Sequence, residues 1–135
     1  MQLRNFQGVL EAIRSARVDQ GVALAHCAQS IELSISGFPQ LRGLVVRRLV
    51  GPLVFRRFAR RGFMKHALKA QIPGAAEIDP NTTVEAGRAR LEAAIEAFRA
   101  HDGTLAEHFA YGRLSRDEYE LAHSMHVADH LGLSS

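Results

Sequence analysis

The 135-residue chain holds a single cysteine, Cys27, and no tryptophan. One thiol excludes an internal disulfide and fits a reducing compartment. Cys27 directly follows His26, but helix neighbours diverge by about 100°, so the two are not expected to share a metal. A buried small hydrophobe is the expected role of the thiol. No apolar run approaches the ~18 residues that a membrane-spanning helix needs, and Met1-Gln2-Leu3-Arg4-Asn5 builds no signal-peptide core. A cytoplasmic location without a membrane span is therefore expected. A phosphate-gripping glycine loop, a nucleophile elbow and readable pairs of catalytic carboxylates are all missing. So is any recognised nucleic-acid module, and no nucleic-acid partner is expected. Acidic residues are missing from one long block: residues 33–76 carry nine Lys/Arg and no Asp or Glu. Residues 77–135 carry eleven acids against five bases, and residues 1–32 balance at three each.

A hydrophobic content of 47% with 23% charged residues describes a globular chain, and its length suits one domain over 1–135. Periodicity predicts four substantial helices and no strands. Residues 5–17 place Phe6, Val9, Leu10 and Ile13 at helical spacing. Val18-Asp19-Gln20-Gly21 reads as a break, a second helix runs over 22–36, and Gly37-Phe38-Pro39 stops it. The middle is less regular. Leu44 to Val50 has helical character, Gly51-Pro52 reads as an interruption, and Leu53 to Phe63 forms a short amphipathic segment. Ile72-Pro73-Gly74 and Asp79-Pro80-Asn81 are loop signals. Thr82-Thr83-Val84-Glu85 has the form of a capping box launching a helix through Leu91, Ala94, Ile95 and Phe98, which His101-Asp102-Gly103 ends. Residues 103–113 read as a loop, and Ser115-Arg116-Asp117-Glu118 is a second capping box that opens the last helix. The expected architecture is all-α, an up-and-down four-helix bundle with a long crossover between its second and third helices.

Histidines carry the most specific chemistry. His126 and His130 stand at i, i+4 on the last helix, which stacks them on one face with Cβ atoms about 5–6 Å apart. Two neutral imidazoles held in this way can grip one transition metal, and a third from another helix would complete a facial set with positions left open. The same spacing also suits two core histidines satisfied by hydrogen bonds. Val127 stands where a zinc-protease helix carries Glu. His26, on the second helix, is a candidate third ligand by its place in the chain; His123 competes for that role, but at i−3 it sits to one side of His126 and is expected beside the ligands or at the surface. Tyr119, Ala122, His123, His126 and His130 fall within a sector of roughly 100°. His66 and His101 lie among polar residues and are expected to face solvent. His108, beside Phe109 and Tyr111 in a loop, is readable either way.

The basic block interleaves Arg47-Arg48, Arg56-Arg57, Arg60-Arg61, Lys65 and Lys69 with Leu49, Leu53, Phe55, Phe58 and Phe63. Such a pattern can meet a membrane surface or nucleic acid electrostatically. The plainer expectation is a solvated face over 42–69 offset by the acidic half, within one fold or across a homodimer. Individual arginines, Arg57 and Arg61 among them, also suit an anionic substrate, because a guanidinium pairs with carboxylate or phosphate through two hydrogen bonds.

The chain resembles the DinB/YfiT-like superfamily of four-helix-bundle metalloproteins, in particular a bacterial branch of it. The resemblance rests on Ala25-His26-Cys27-Ala28-Gln29-Ser30-Ile31-Glu32, on Gly51-Pro52-Leu53 through Arg61-Gly62-Phe63-Met64, and on Ile72-Pro73-Gly74-Ala75. It continues in Glu107-His108-Phe109-Ala110-Tyr111-Gly112-Arg113-Leu114-Ser115 and in Met125-His126-Val127-Ala128-Asp129-His130-Leu131, spanning about residues 22–131. The resemblance implies His26, His126 and His130 as the three ligands of a divalent ion, nickel or zinc being its natural occupants. Around the ligands or the substrate, the candidates read from the residues are Gln29, His108 and His123, with Arg57 and Arg61. Superfamily members of known activity use the metal to bind and activate a low-molecular-weight thiol for transfer or isomerisation. Relatives usually carry a tryptophan-containing connection before the first histidine. Here Arg17-Val18-Asp19-Gln20 stands in its place, so a shortened junction is expected.

Two readings from different classes result. In one, the protein is a metal-dependent enzyme, a thiol S-transferase or a hydrolase acting on a small molecule. In the other, it is a non-catalytic bundle whose histidines fill the core and whose basic 42–69 face binds an acidic partner.

Overall fold

A computed structural model describes residues 2–64 and 71–133. His66, Lys65 and Lys69 lie outside the described residues. The described residues form five α-helices and no strand: α1 (Phe6–Ala12), α2 (Gly21–Ser36), α3 (Gly51–Arg61), α4 (Val84–Ala100) and α5 (Arg116–His130). The expected all-α class holds. The long connection between α2 and α4 contains a helix of its own, α3.

Local chemistry sets the boundaries. Asn5 caps α1 by accepting the Gly8 N–H at 2.9 Å. At the head of α5 both bonds of the expected capping box form: Glu118 N–H donates to Ser115 Oγ at 3.1 Å, and Ser115 N–H donates to Glu118 Oε1 at 2.9 Å. The box expected at Thr82–Glu85 does not form. Thr82 Oγ donates instead to the Asp79 carbonyl at 2.6 Å, and Thr83 is the cap, accepting from Ala86 N–H at 3.1 Å. The third helical residue after Thr83 is Ala86, which has no side-chain acceptor to return.

Two expected breaks are helical. Val18–Gln20 is a single 3₁₀ turn that leads directly into α2, whose first residue is Gly21. A Cβ on Gly21 would lie 2.2 Å from the Thr82 carbonyl oxygen, so this glycine serves a close approach to the α4 N-terminus. Gly51-Pro52 likewise does not interrupt. A π turn over Val46–Val50 hands on to α3, with Gly51 N–H on the Val46 carbonyl. Pro52 then follows inside this continuous helix, directly after the π turn, which widens the hydrogen-bond ladder just ahead of a residue that has no N–H to give it.

α2 packs most extensively on α4 and also on α5, while α1 and α3 each lie against α5. Phe6, Val9, Leu24, Ile31, Leu91, Ile95, Phe98, Tyr119 and Val127 share the main core. A second cluster under α3 joins Phe55, Phe58 and Met64 to Tyr111, Ala122 and Met125. The two clusters hold α5 from opposite sides and fix which of its faces looks toward α2.

Candidate metal centre

α2 contributes His26 and the last two turns of α5 contribute His126 and His130. Their ring centroids are 5.1 Å (His26–His126), 4.7 Å (His26–His130) and 4.7 Å (His126–His130) apart. One nitrogen of each ring lies within 4.8 Å of one from both others, and all three residues are half-buried. Among the described residues no other group of three His, Cys, Asp or Glu comes together in this way. An ion held at about 2.0–2.1 Å from each nitrogen sets the nitrogens roughly 3–3.5 Å apart, so a small rotation of the rings closes the set. Burial, and then the neighbouring His130, lower the His26 pKa to about 4. Its ring is therefore uncharged at neutral pH, the form that can donate to a metal. His130 is the last residue of α5, where the negative end of the helix dipole favours a cation. Three imidazoles without a thiolate suit zinc, nickel, copper or iron better than calcium or magnesium. The donor set fits a divalent transition metal.

Cys27 takes no part. It is buried in the main core, and burial followed by the charge of Asp129 pushes its thiol well above the ordinary range. It is the packed small hydrophobe expected from the sequence.

The three histidines line one end of a cavity of about 270 Å³, whose walls include Arg42, Met64, Ile72, His108, Tyr111 and His123. His108 is buried in the loop before α5. Its Nδ1 accepts from Ala110 N–H at 3.1 Å and Tyr111 N–H at 3.0 Å, so in the neutral ring the proton sits on Nε2. Its ring stacks on Tyr111 with centroids 4.4 Å apart and an interplanar angle of 11°. Gly112 closes this turn at φ 80°, and a Cβ there would meet the Arg47 carbonyl oxygen at 2.3 Å. Arg47 is also ion-paired with Glu107, which ties the crossover to the same loop.

His123 lies outside the three-histidine cluster and is not on the surface, being 3% exposed. Its Nε2 is 3.1 Å from Ser34 Oγ, whose own proton goes to the Ile31 carbonyl at 2.6 Å, so His123 is the donor. Its ring stacks on Tyr119 at 5.3 Å. Burial, with a smaller contribution from His108, lowers its pKa to about 3. The unfolded chain therefore takes up a proton near pH 6.5 that the folded chain refuses until near pH 3. Stability is complete above pH ~6.5 and falls by up to ~1.4 kcal/mol per pH unit below it. His26, lowered to about 4, adds to the fall in the metal-free protein, so urea midpoints measured between pH 7 and pH 4 should drop less steeply in His123→Gln than in the wild type without becoming flat.

The other candidates are placed elsewhere. Gln29 is buried, and its Nε2 donates to the Ala76 carbonyl at 2.7 Å, pinning the crossover to α2 rather than facing the cavity. Arg57 and Arg61 are exposed on α3 and do not line the cavity. Arg61 folds over the Phe63 ring at 4.3 Å. His101 is half-exposed, its Nε2 3.3 Å from the Thr104 carbonyl. Arg42, Met64 and Ile72 had no signal in spacing, since only the path of the crossover brings them to the cavity.

Fold and site together define an all-α protein with a three-histidine cluster able to hold a metal ion. The chain belongs to a family described as protein of unknown function (DUF1569), whose model matches residues 15–134. No curated protein and no solved structure matches the chain significantly.

Proposed function

We propose that the protein is a divalent-metal protein in which His26, His126 and His130 ligate one nickel or zinc ion, within a single DinB/YfiT-like four-helix-bundle domain. The convergence of three ligand nitrogens from α2 and α5 within 4.8 Å carries this reading. The adjoining cavity of about 270 Å³ has room for a small molecule beside the three rings. An ion held there supplies Lewis acidity that lowers the pKa of a thiol or water reaching it. The proposed activity is thiol S-transfer, or hydrolysis, on a small substrate, with a low-molecular-weight thiol as the partner. The chain's own contribution is to orient and enclose. His108 is fixed by its two backbone bonds to present its Nε2 side as the proton carrier, and Met64, Ile72 and Tyr111 exclude water from the substrate. His123 is committed to Ser34 and holds α5 in register with α2.

Elemental analysis of tag-free protein reconstituted with nickel or zinc tests the site. Near one ion per chain is expected in the wild type, with loss in both His26→Ala and His130→Ala. Equal metal content in the wild type and both variants would place the ion elsewhere.

A further inference from the structure

Ten large hydrophobic side chains are exposed among the described residues, and eight of them lie between Leu41 and Val54. Val45 is 66% exposed, Leu49 63% and Leu53 62%. No residue of the π turn Val46–Val50 is buried. Arg48, Arg56, Arg57 and Arg60 are exposed along the same stretch. The acidic half of the chain does little to offset them: of the seven arginines between 42 and 61, Arg47 alone forms an ion pair among the described residues. A contiguous apolar surface rimmed by unoffset cations marks an interaction site.

Charge and polarity together narrow what can cover it. A second copy related by a two-fold axis would bring the same arginines against each other. A head-to-tail contact with the acidic 77–135 half would satisfy the arginines but not the leucines, because the only other large hydrophobics exposed among the described residues are Val18 and Val22. A nucleic acid offers phosphates but no cover for Leu49 or Leu53. A membrane surface bearing anionic headgroups offers both, since apolar side chains enter the acyl boundary while arginines reach back to phosphates.

We propose that residues 41–61 form a peripheral docking surface for anionic phospholipid, with Leu44, Val45, Leu49 and Leu53 entering the interface and Arg48, Arg56, Arg57 and Arg60 meeting the headgroups. The segment lies in the plane of the interface and does not cross it. The inference is independent of the metal reading, because none of these eight residues lines the three-histidine cavity.

Co-sedimentation of the full chain with vesicles tests it. One set is phosphatidylcholine alone and the other is phosphatidylcholine with phosphatidylglycerol. Binding to the anionic vesicles and not to the neutral ones is expected, reduced by salt and by Arg48→Gln/Arg56→Gln/Arg60→Gln. A chain with a sequence pI of about 9.6 can adsorb to anionic vesicles by charge alone, so the apolar variants decide. Leu49→Ser/Leu53→Ser, at exposed positions that leave the core intact, should weaken binding by about tenfold or more with an unchanged circular dichroism spectrum. Vesicle binding equal to wild type in that variant would overturn the proposal, as would no binding to anionic vesicles at low salt. Sedimentation velocity supplies a further arm: a wild-type dimer that Leu49→Ser/Leu53→Ser dissociates would assign the surface to a second copy and overturn lipid docking.

Discussion

Saturating zinc or nickel should raise the thermal midpoint of the wild-type protein by about 10 °C, and His26→Ala should abolish the rise. A ligand that binds only the folded state stabilises it by about 2.7 kcal/mol at a hundred times its dissociation constant. In a domain of this size each kcal/mol moves the midpoint by a few degrees, which gives the expected shift. The unfolded chain cannot reproduce the site, because His26 is separated from His126 by 100 positions and meets it only where α2 packs on α5. Removing one of three donors is a larger loss than disturbing an outer-shell partner, so affinity should fall by more than about a hundredfold. Differential scanning fluorimetry with and without each metal reads both effects. A shift retained in His26→Ala would show that the ion stabilises the protein from another position.

Gly87→Ala should lower stability by about 1–2 kcal/mol, an overpacking cost of about 2–3 kcal/mol less a helix-propensity gain of about 1 kcal/mol. Helix propensity favours the substitution by about 1 kcal/mol. Against that, a Cβ on Gly87 would sit 2.3 Å from the Gly21 carbonyl oxygen and 3.1 Å from the Leu24 Cβ. The first of these is a backbone atom of α2, which no rotamer change can move. The helices must separate, and overpacking of this kind outweighs the propensity gain. Leu24 stands two residues before His26, so the displacement reaches the metal site as well. Urea denaturation, paired with metal affinity, should show both losses. A Gly87→Ala variant as stable as wild type would mean that α2 and α4 are not this close.

How much was legible in the sequence follows from the range of each interaction. The Ser115–Glu118 capping box spans four residues and is complete in sequence, and both of its bonds form. The neighbouring threonines show the limit: the choice between Thr82 and Thr83 as cap is set by Asp79, whose carbonyl takes the Thr82 hydroxyl. His126 and His130 are a local pair, and their shared face followed from helical spacing. His26 is not local to them. Its place on a second helix made it a candidate, and only the α2–α5 packing shows its ring 5.1 Å and 4.7 Å from theirs. The cavity wall was hidden for the same reason. Arg42, Met64 and Ile72 come from a crossover whose path depends on Gly51, Gly112 and the Arg47–Glu107 pair, and no periodicity encodes that path. Gln29 shares the His26 side of α2 by helical spacing, but only the path of the crossover shows that its amide is taken up by the Ala76 carbonyl.

The most direct test of the three-histidine metal site is the visible spectrum of cobalt(II)-reconstituted protein, titrated to saturation and then mixed with a small thiol. Ligand-field bands saturating near one cobalt per chain are expected, with a thiolate-to-cobalt charge-transfer band growing as the thiol is added. His126→Ala should show neither. Bands that persist unchanged in His126→Ala would contradict the site, and saturating bands that ignore the thiol would contradict thiol chemistry while leaving the metal in place.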